Sequence, residues 1–288
     1  MQIGICTTDF DTMPMETLFS KIAQMGFSSV QLAFATLAEA NFVPDGVCEI
    51  PRAIPHDLPA RIASCAAAHN LRILCVNGTF NMAHPDAAAR EDALGRFPAF
   101  AKAVRATGCD QVSLCTGTRN KDDLWAPHPD NQSPQAWRDA LDSMRRIVKI
   151  AEDEGLTLLM ETEASNVVDT PQRACEMMEQ SLSPNVKMIM DCANLFHPGT
   201  ARPQMVRPVI DRAFDGFGQH VCLAHGKDIR SGDGLDFCAA GLGIVDFPHM
   251  LRRLAQQGYK GDMVLHGIKT ELDMPRALAF MRRCIADM

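Results

Sequence analysis

The sequence contains no C-x-x-C pair, no G-x-x-x-x-G-K-[ST] phosphate loop and no G-x-S-x-G elbow. P-loop phosphate chemistry and a serine-hydrolase site therefore have no support. No G-x-G-x-x-G follows the first strand-like segment, which removes the usual dinucleotide-binding version of an open sheet. No apolar run has the length needed to span a bilayer, and no low-complexity segment or linker interrupts the chain. The chain opens on "MQIGICTTDF", which reads at once as a strand with no basic stretch before it, so a secretory leader is not expected. Excess positive charge is also missing: the formal net charge is −7, which suits neither a nucleic-acid backbone nor an anionic membrane.

What is present points elsewhere. Hydrophobic residues make up 47% of the 288 positions, enough for a large core. The 11 cysteines are odd in number and several lie inside apolar runs ("GICTT", "ILCVN", "SLCTG"), so free buried thiols in a reducing, cytoplasmic setting are expected. Short apolar segments at 2–6, 29–34, 71–77, 111–115, 156–161, 186–191, 220–225 and 262–266 are nearly continuous rather than alternating. Strands buried on both faces of a parallel sheet read this way. Between them lie helix-like stretches at 14–25, 57–69, 85–107, 133–154, 170–180, 203–217, 246–257 and 275–286. Two of these begin with a hydroxyl cap and then proline, and five meet a glycine at their far end.

Eight strand–helix units in a chain of this length predict an α/β fold, one (β/α)8 TIM barrel over residues 1–288, with an open doubly wound sheet as the alternative. The longer insertions, 35–56, 116–132 and 226–245, all follow strands and so belong to the face where barrel active sites are built. On that face four successive segments end in Glu161, Asp191, His225 and His266. One strand-end histidine is ordinarily a packed core residue. Two carboxylates and two imidazoles at one mouth instead make a divalent-metal set. The mixed oxygen and nitrogen donors suit Mn2+ first, with Zn2+, Co2+, Fe2+ or Mg2+ as alternatives.

Loop residues around the same mouth are candidates for substrate contact: Asn77 and His84 after the third segment, Arg119, Trp125 and His128 after the fourth, and Asn166 and Asn194 further on. Hydroxyl recognition, with Trp125 as a stacking wall, competes evenly here with ordinary loop capping. Lys227 is placed either beside Asp228 or another carboxylate, or near a developing enolate. His56, His69, His197, His220 and His249 fall on helices, strand starts or outer loops and are read as structural.

The stretches "LLMETE" (158–163), "IMDCANLFHPG" (189–199), "AHGKDI" (224–229) and "GLGIVDFPHMLRRLAQQGYKGDMVLHG" (241–267) resemble the xylose-isomerase-like TIM barrels, in particular the sugar phosphate isomerase/epimerase group. The resemblance implies metal ligation by Glu161, Asp191 and His225. It also implies a glutamate at the end of the last strand, where this chain has His266, and often a histidine where it has Asn194. The implied activity is carbohydrate isomerisation or epimerisation through an enediolate, and the implied assembly a homodimer. Losing the second glutamate suggests a single carboxylate base, Glu161 or Glu163, with Lys227 assisting. A lyase or dehydratase acting on a keto-sugar or keto-inositol, and a non-catalytic sugar-binding barrel, are the alternatives. A DNA endonuclease of the same superfamily is disfavoured by the acidic charge and by Asn194 in place of a ligand.

Overall fold

The computed structural model describes residues 1–288. Nine strands form: β1 (Ile3–Cys6), β2 (Ser29–Leu32), β3 (Arg72–Asn77), β4 (Gln111–Leu114), β5 (Thr157–Met160), β6 (Val186–Met190), β7 (Val221–Ile229), β8 (Phe237–Ala239) and β9 (Met263–Leu265). β1 to β7 and β9 are joined side by side in parallel, and the β6–β7 and β1–β9 pairings close them into an eight-stranded barrel. Eight helices cover the outside: α1 (Met15–Gln24), α2 (Leu58–Ala68), α3 (Ala87–Ala106), α4 (Pro134–Glu154), α5 (Pro171–Ser181), α6 (Val206–Phe217), α7 (Phe247–Gln256) and α8 (Met274–Ala286). None is long and apolar enough to cross a membrane. The predicted barrel is present and the open sheet is not.

The local signals act as their chemistry requires. Ser133 and Thr170 each accept a hydrogen bond from a first-turn N–H of the helix they precede, and proline follows both. Gly26, Gly108, Gly155 and Gly258 stop their helices with positive φ. The apolar side chains divide into two bodies. A large cluster packs helices onto the outer face of the strands, and a small one fills the barrel: Cys6, Cys75, Leu159, Ile189, Leu223 and Val264. All 11 cysteines are free and nine are buried, as the apolar runs predict.

β7 differs from expectation. The segment expected to stop at His225 runs on to Ile229, because Lys227, Asp228 and Ile229 pair antiparallel with β8 outside the barrel. The turn that follows β8 is held by one buried carboxylate. Asp228 accepts backbone N–H groups from Ile229 (2.9 Å), Gly241 (3.0 Å), Gly243 (2.9 Å) and Val245 (2.9 Å). Asp228 is thus engaged by backbone, and Lys227 turns to the barrel mouth. A Cβ at Gly243 would lie 2.4 Å from Oδ1 of Asp228, so this position needs glycine.

Candidate active site at the barrel mouth

β5, β6 and β7 are neighbours, and their C-terminal ends bring Glu161, Asp191 and His225 together. One donor atom from each lies within 4.8 Å of the others. Nδ1 of His225 is 3.3 Å from Oδ2 of Asp191 and 3.5 Å from Oε1 of Glu161. The backbone N–H groups of Ala193 and Asn194 donate to Oδ1 of Asp191, which leaves Oδ2 facing inward. Nε2 of His225 donates to Oε1 of Gln31 at 2.9 Å. That bond directs Nδ1 at the carboxylates, the outer-shell arrangement that orients ligating histidines.

The bond to Gln31 continues across the barrel. Nε2 of Gln31 donates to Oδ1 of Asn77 at 2.8 Å, and Oγ of Ser113 donates to the same oxygen at 2.9 Å. Three strand ends thereby brace one imidazole. Gln31 was not singled out in the sequence, although it is a polar residue in the middle of the otherwise apolar stretch Val30–Phe34.

Nζ of Lys227 lies 3.5 Å from Oδ2 of Asp191 and 4.3 Å from the centre of the Phe237 ring. Burial disfavours its charge, but Asp191, Glu161 and Glu163 outweigh burial and raise its pKa. Burial likewise pushes the Asp191 carboxyl up, while Lys227 and His225 prevail and hold it well below the ordinary carboxylate range. His225 loses by burial and gains more from Glu161 and Asp191, which raise it to about 9. Metal-free, these groups form a network of compensating charges.

A cavity of about 280 Å³ opens above them. Its walls include Asn77, Trp125, Glu161, Glu163, Asn194, Lys227 and His266, all named from the sequence. Nδ2 of Asn194 donates to Oε1 of Glu161 at 2.5 Å, and its buried Oδ1 has no partner. Glu163 is buried, and the one side-chain contact to its carboxylate is a long 3.5 Å approach from Oγ of Ser165. Burial raises its pKa against the pull of Lys227.

His266 reaches the cavity but stands outside the three-donor cluster. Its Nδ1 faces Oδ1 of Asp9 at 3.4 Å, and its ring centre is 5.3 Å from that of His225. Asp9 also accepts from the N–H groups of Gly267 and Ile268, so it anchors the chain leaving β9 and draws the imidazole aside.

Four expected contact residues are not brought to the cavity. His84 is buried and ties Lys121 O (2.9 Å) to the N–H of Asp86 (3.1 Å). Arg119 donates to Ala83 O (2.9 Å) and Asp139 (2.7 Å), clamping its loop to α4. Asn166 accepts from the N–H of Gly117 (2.7 Å) and donates to Leu124 O (3.1 Å). His128 accepts the N–H of Asp130 at 3.2 Å, a local cap. Loop satisfaction claims all four. A second donor group, Glu16, Cys65 and His69, lies between α1 and α2, where Cys65 and His69 both hydrogen-bond Glu16.

Glu49, also missed, lines the cavity from the segment after β2. Its side chain has no polar partner among the hydrogen bonds and ion pairs, and burial pushes its carboxyl up to about 7. The folded value exceeds the ordinary 4.5, so the advantage of the neutral acid is complete below pH 4.5 and gone once pH passes 7. Glu49→Gln should therefore leave the metal-free protein unchanged at pH 4.5 and stabilise it by up to about 3 kcal/mol at pH 8. Urea unfolding at the two pH values checks this; equal effects at both would contradict the burial assignment.

A family model described as "Xylose isomerase-like TIM barrel" matches residues 19–284. The chain belongs to this family. An inosose dehydratase from Geobacillus kaustophilus is 23% identical over 201 residues, which span 62% of this chain and 63% of that protein. Among solved structures, a 3-keto-D-glucoside 4-epimerase from E. coli superposes with a TM-score of 0.70 at 16% identity, covering 99% of this chain and 100% of that one. The IOLI protein with a bound zinc atom superposes with a TM-score of 0.71 at 14% identity, covering 100% of this chain and 97% of that one. The proteins it is similar to thus include an epimerase and a dehydratase.

Proposed function

We propose that the protein is a divalent-metal-dependent isomerase or epimerase of a ketose or keto-sugar derivative, working through proton transfer next to a carbonyl. The carrying observation is the buried Glu161–Asp191–His225 cluster beside Lys227, with Glu163 free in the cavity above. The donor set fits an ion. Two carboxylates and a neutral imidazole are standard ligands for Mn2+, Zn2+, Co2+ or Fe2+, and the unpartnered Oδ1 of Asn194 supplies a further buried oxygen beside them. His266 would enter the set only by turning from Asp9.

A divalent ion held there would polarise a substrate carbonyl and stabilise negative charge on its oxygen. The protein's own groups do the rest. Glu163 takes the proton from the carbon next to the carbonyl, its raised pKa bringing it nearer the working pH, and returns it to the neighbouring carbon to complete an isomerisation. Glu161 is engaged by Asn194 and His225 and serves better as a ligand than as a base. Lys227, held charged, stabilises the same enolate oxygen. Asn77 and Trp125 contact the ring.

A second reading, a lyase acting on a keto-sugar or keto-inositol, is favoured by Glu49. It stays neutral up to about pH 7 and can protonate a leaving hydroxyl, which departs as water while Glu163 holds the carbon-bound proton. The likeness to an inosose dehydratase supports the same reading.

Elemental mass spectrometry after reloading with manganese or zinc tests the shared premise. About one equivalent is expected in wild type and less than a tenth of that in Asp191→Ala. A wild type that retains no metal under any loading would remove both readings and leave a sugar-binding barrel. Proton exchange in D2O, followed by identification of the product, then separates isomerase from lyase.

A further inference from the structure

Beside the polar cavity lies a second hollow of about 420 Å³, lined by Trp125, Pro127, Ala164, Pro198, Leu235 and Phe237 together with Glu163 and Ser165. The two hollows share Trp125 and Glu163 in their walls, so a polar cavity and an apolar one lie next to each other. Trp125 is 43% exposed, and Leu235 and Phe237 are half-buried. Large apolar side chains left uncovered at the rim of a site mark what the site covers them with.

The walls are built rather than incidental. Phe237 is fixed by its pairing with Ile229 across the β7–β8 hairpin, the extension that lies outside the barrel. The tip of that hairpin is closed by Asp236, which accepts from Arg230 at 3.1 Å and Lys269 at 2.7 Å. Opposite, the N–H of Leu124 donates to Gly46 O, Leu124 O accepts from Asn166, and the N–H of Trp125 donates to Asp123. Asn166 therefore positions the tryptophan wall although it does not reach the cavity. Lys227 lies over the Phe237 ring, so a group on the apolar side abuts the ammonium on the polar side.

We propose that the substrate is a glycoside whose apolar, aryl-sized aglycone occupies the hollow between Trp125 and Phe237 while its sugar ring fills the polar cavity. This rests on the carbohydrate reading above and adds the substrate class. A free sugar would leave the apolar hollow filled with water against aromatic and aliphatic walls, whereas an attached apolar group buries them. A glycoside's anomeric carbon is locked, so the carbonyl next to which Glu163 acts would lie on another ring carbon.

The test is calorimetric titration of the metal-loaded protein with paired phenyl and methyl glycosides of glucose, galactose and xylose in both anomers, and with cellobiose. At least one phenyl glycoside is expected to bind roughly tenfold more tightly than its methyl partner, the gain expected from burying a ring edge and face of modest area. Leu235→Asp, which charges the hollow at a residue assigned no part in metal binding or proton transfer, should erase that preference and leave methyl glycoside affinity unchanged. Equal affinities across every pair, no binding by any glycoside, or a preference for cellobiose over all phenyl glycosides would each overturn the assignment. A preference that survives Leu235→Asp in a variant with wild-type melting behaviour would overturn it too. Metal content is read separately. Loss of metal defeats the catalytic reading, whereas a metal-replete protein with no aryl preference defeats only this one.

Discussion

Glu163→Gln should slow hydrogen exchange at the carbon next to a substrate carbonyl by about 10²- to 10⁴-fold, the usual contribution of a positioned general base. The amide is nearly isosteric, so packing at this buried site is retained while the proton acceptor is lost. Glu163 lies outside the three-donor cluster, and metal content should stay at the wild-type level. Glu161→Gln provides the contrast. It removes a donor that contacts His225 and accepts from Asn194, so metal and turnover should fall together. The assay is deuterium incorporation in D2O across ketohexoses, a 3-keto-glucoside and an inosose. A raised Glu163 pKa also places the acid limb of the rate above the ordinary carboxylate value of 4.5, since the base must be ionised to act. If Glu163→Gln exchanges within threefold of wild type on a turned-over substrate, the base lies elsewhere, and Glu49 becomes the next candidate.

The barrel was legible because parallel strands buried on both faces leave continuous apolar runs, and because caps, first-turn prolines and stop glycines mark the helices between them. Strand ends were legible for the same reason: Glu161 and Asp191 interrupt apolar segments, and the interruption is the signal. His225 shows the limit. The chain after it continues as strand because β8 supplies partners, and no local periodicity announces a hairpin whose second strand is only Phe237–Ala239. The loops were least legible. His84, Arg119, His128 and Asn166 carry the residue types that bind sugars, and the same donors and acceptors satisfy loop backbone. Only the tertiary path decides between these uses. Glu49 and Gln31 were hidden in the opposite way, as single polar residues inside apolar surroundings, in "VCEIP" and "VQLAF". Such isolated polar positions pointed more reliably into the cavity than the histidines of the polar loops did.

Metal binding should strengthen about tenfold for each pH unit between 6 and 8, because one proton must leave His225 first. The sign follows from its pKa, raised from 6.5 to about 9 by Glu161 and Asp191 against the effect of burial. In the metal-free protein the imidazolium contributes stability that is fully present below pH 6.5 and is lost as pH rises through 9. A cation held by Glu161, Asp191 and His225 would displace that proton, so its binding gains wherever the proton is held less tightly. Asp191 is ionised throughout this range and adds no slope of its own. At fixed excess metal, the stabilisation read from unfolding should therefore grow by about 1.4 kcal/mol per pH unit, or close to 3 kcal/mol from pH 6 to pH 8. Denaturant unfolding with and without Mn2+ at three pH values measures it. His225→Gln, which cannot carry the proton, should flatten the dependence while weakening binding at every pH. A metal-induced stabilisation that is flat from pH 6 to 8 in wild type would mean that no buried imidazole is deprotonated on binding. The ion would then be held by carboxylates alone, and the bond from His225 to Gln31 would be left with a purely structural role.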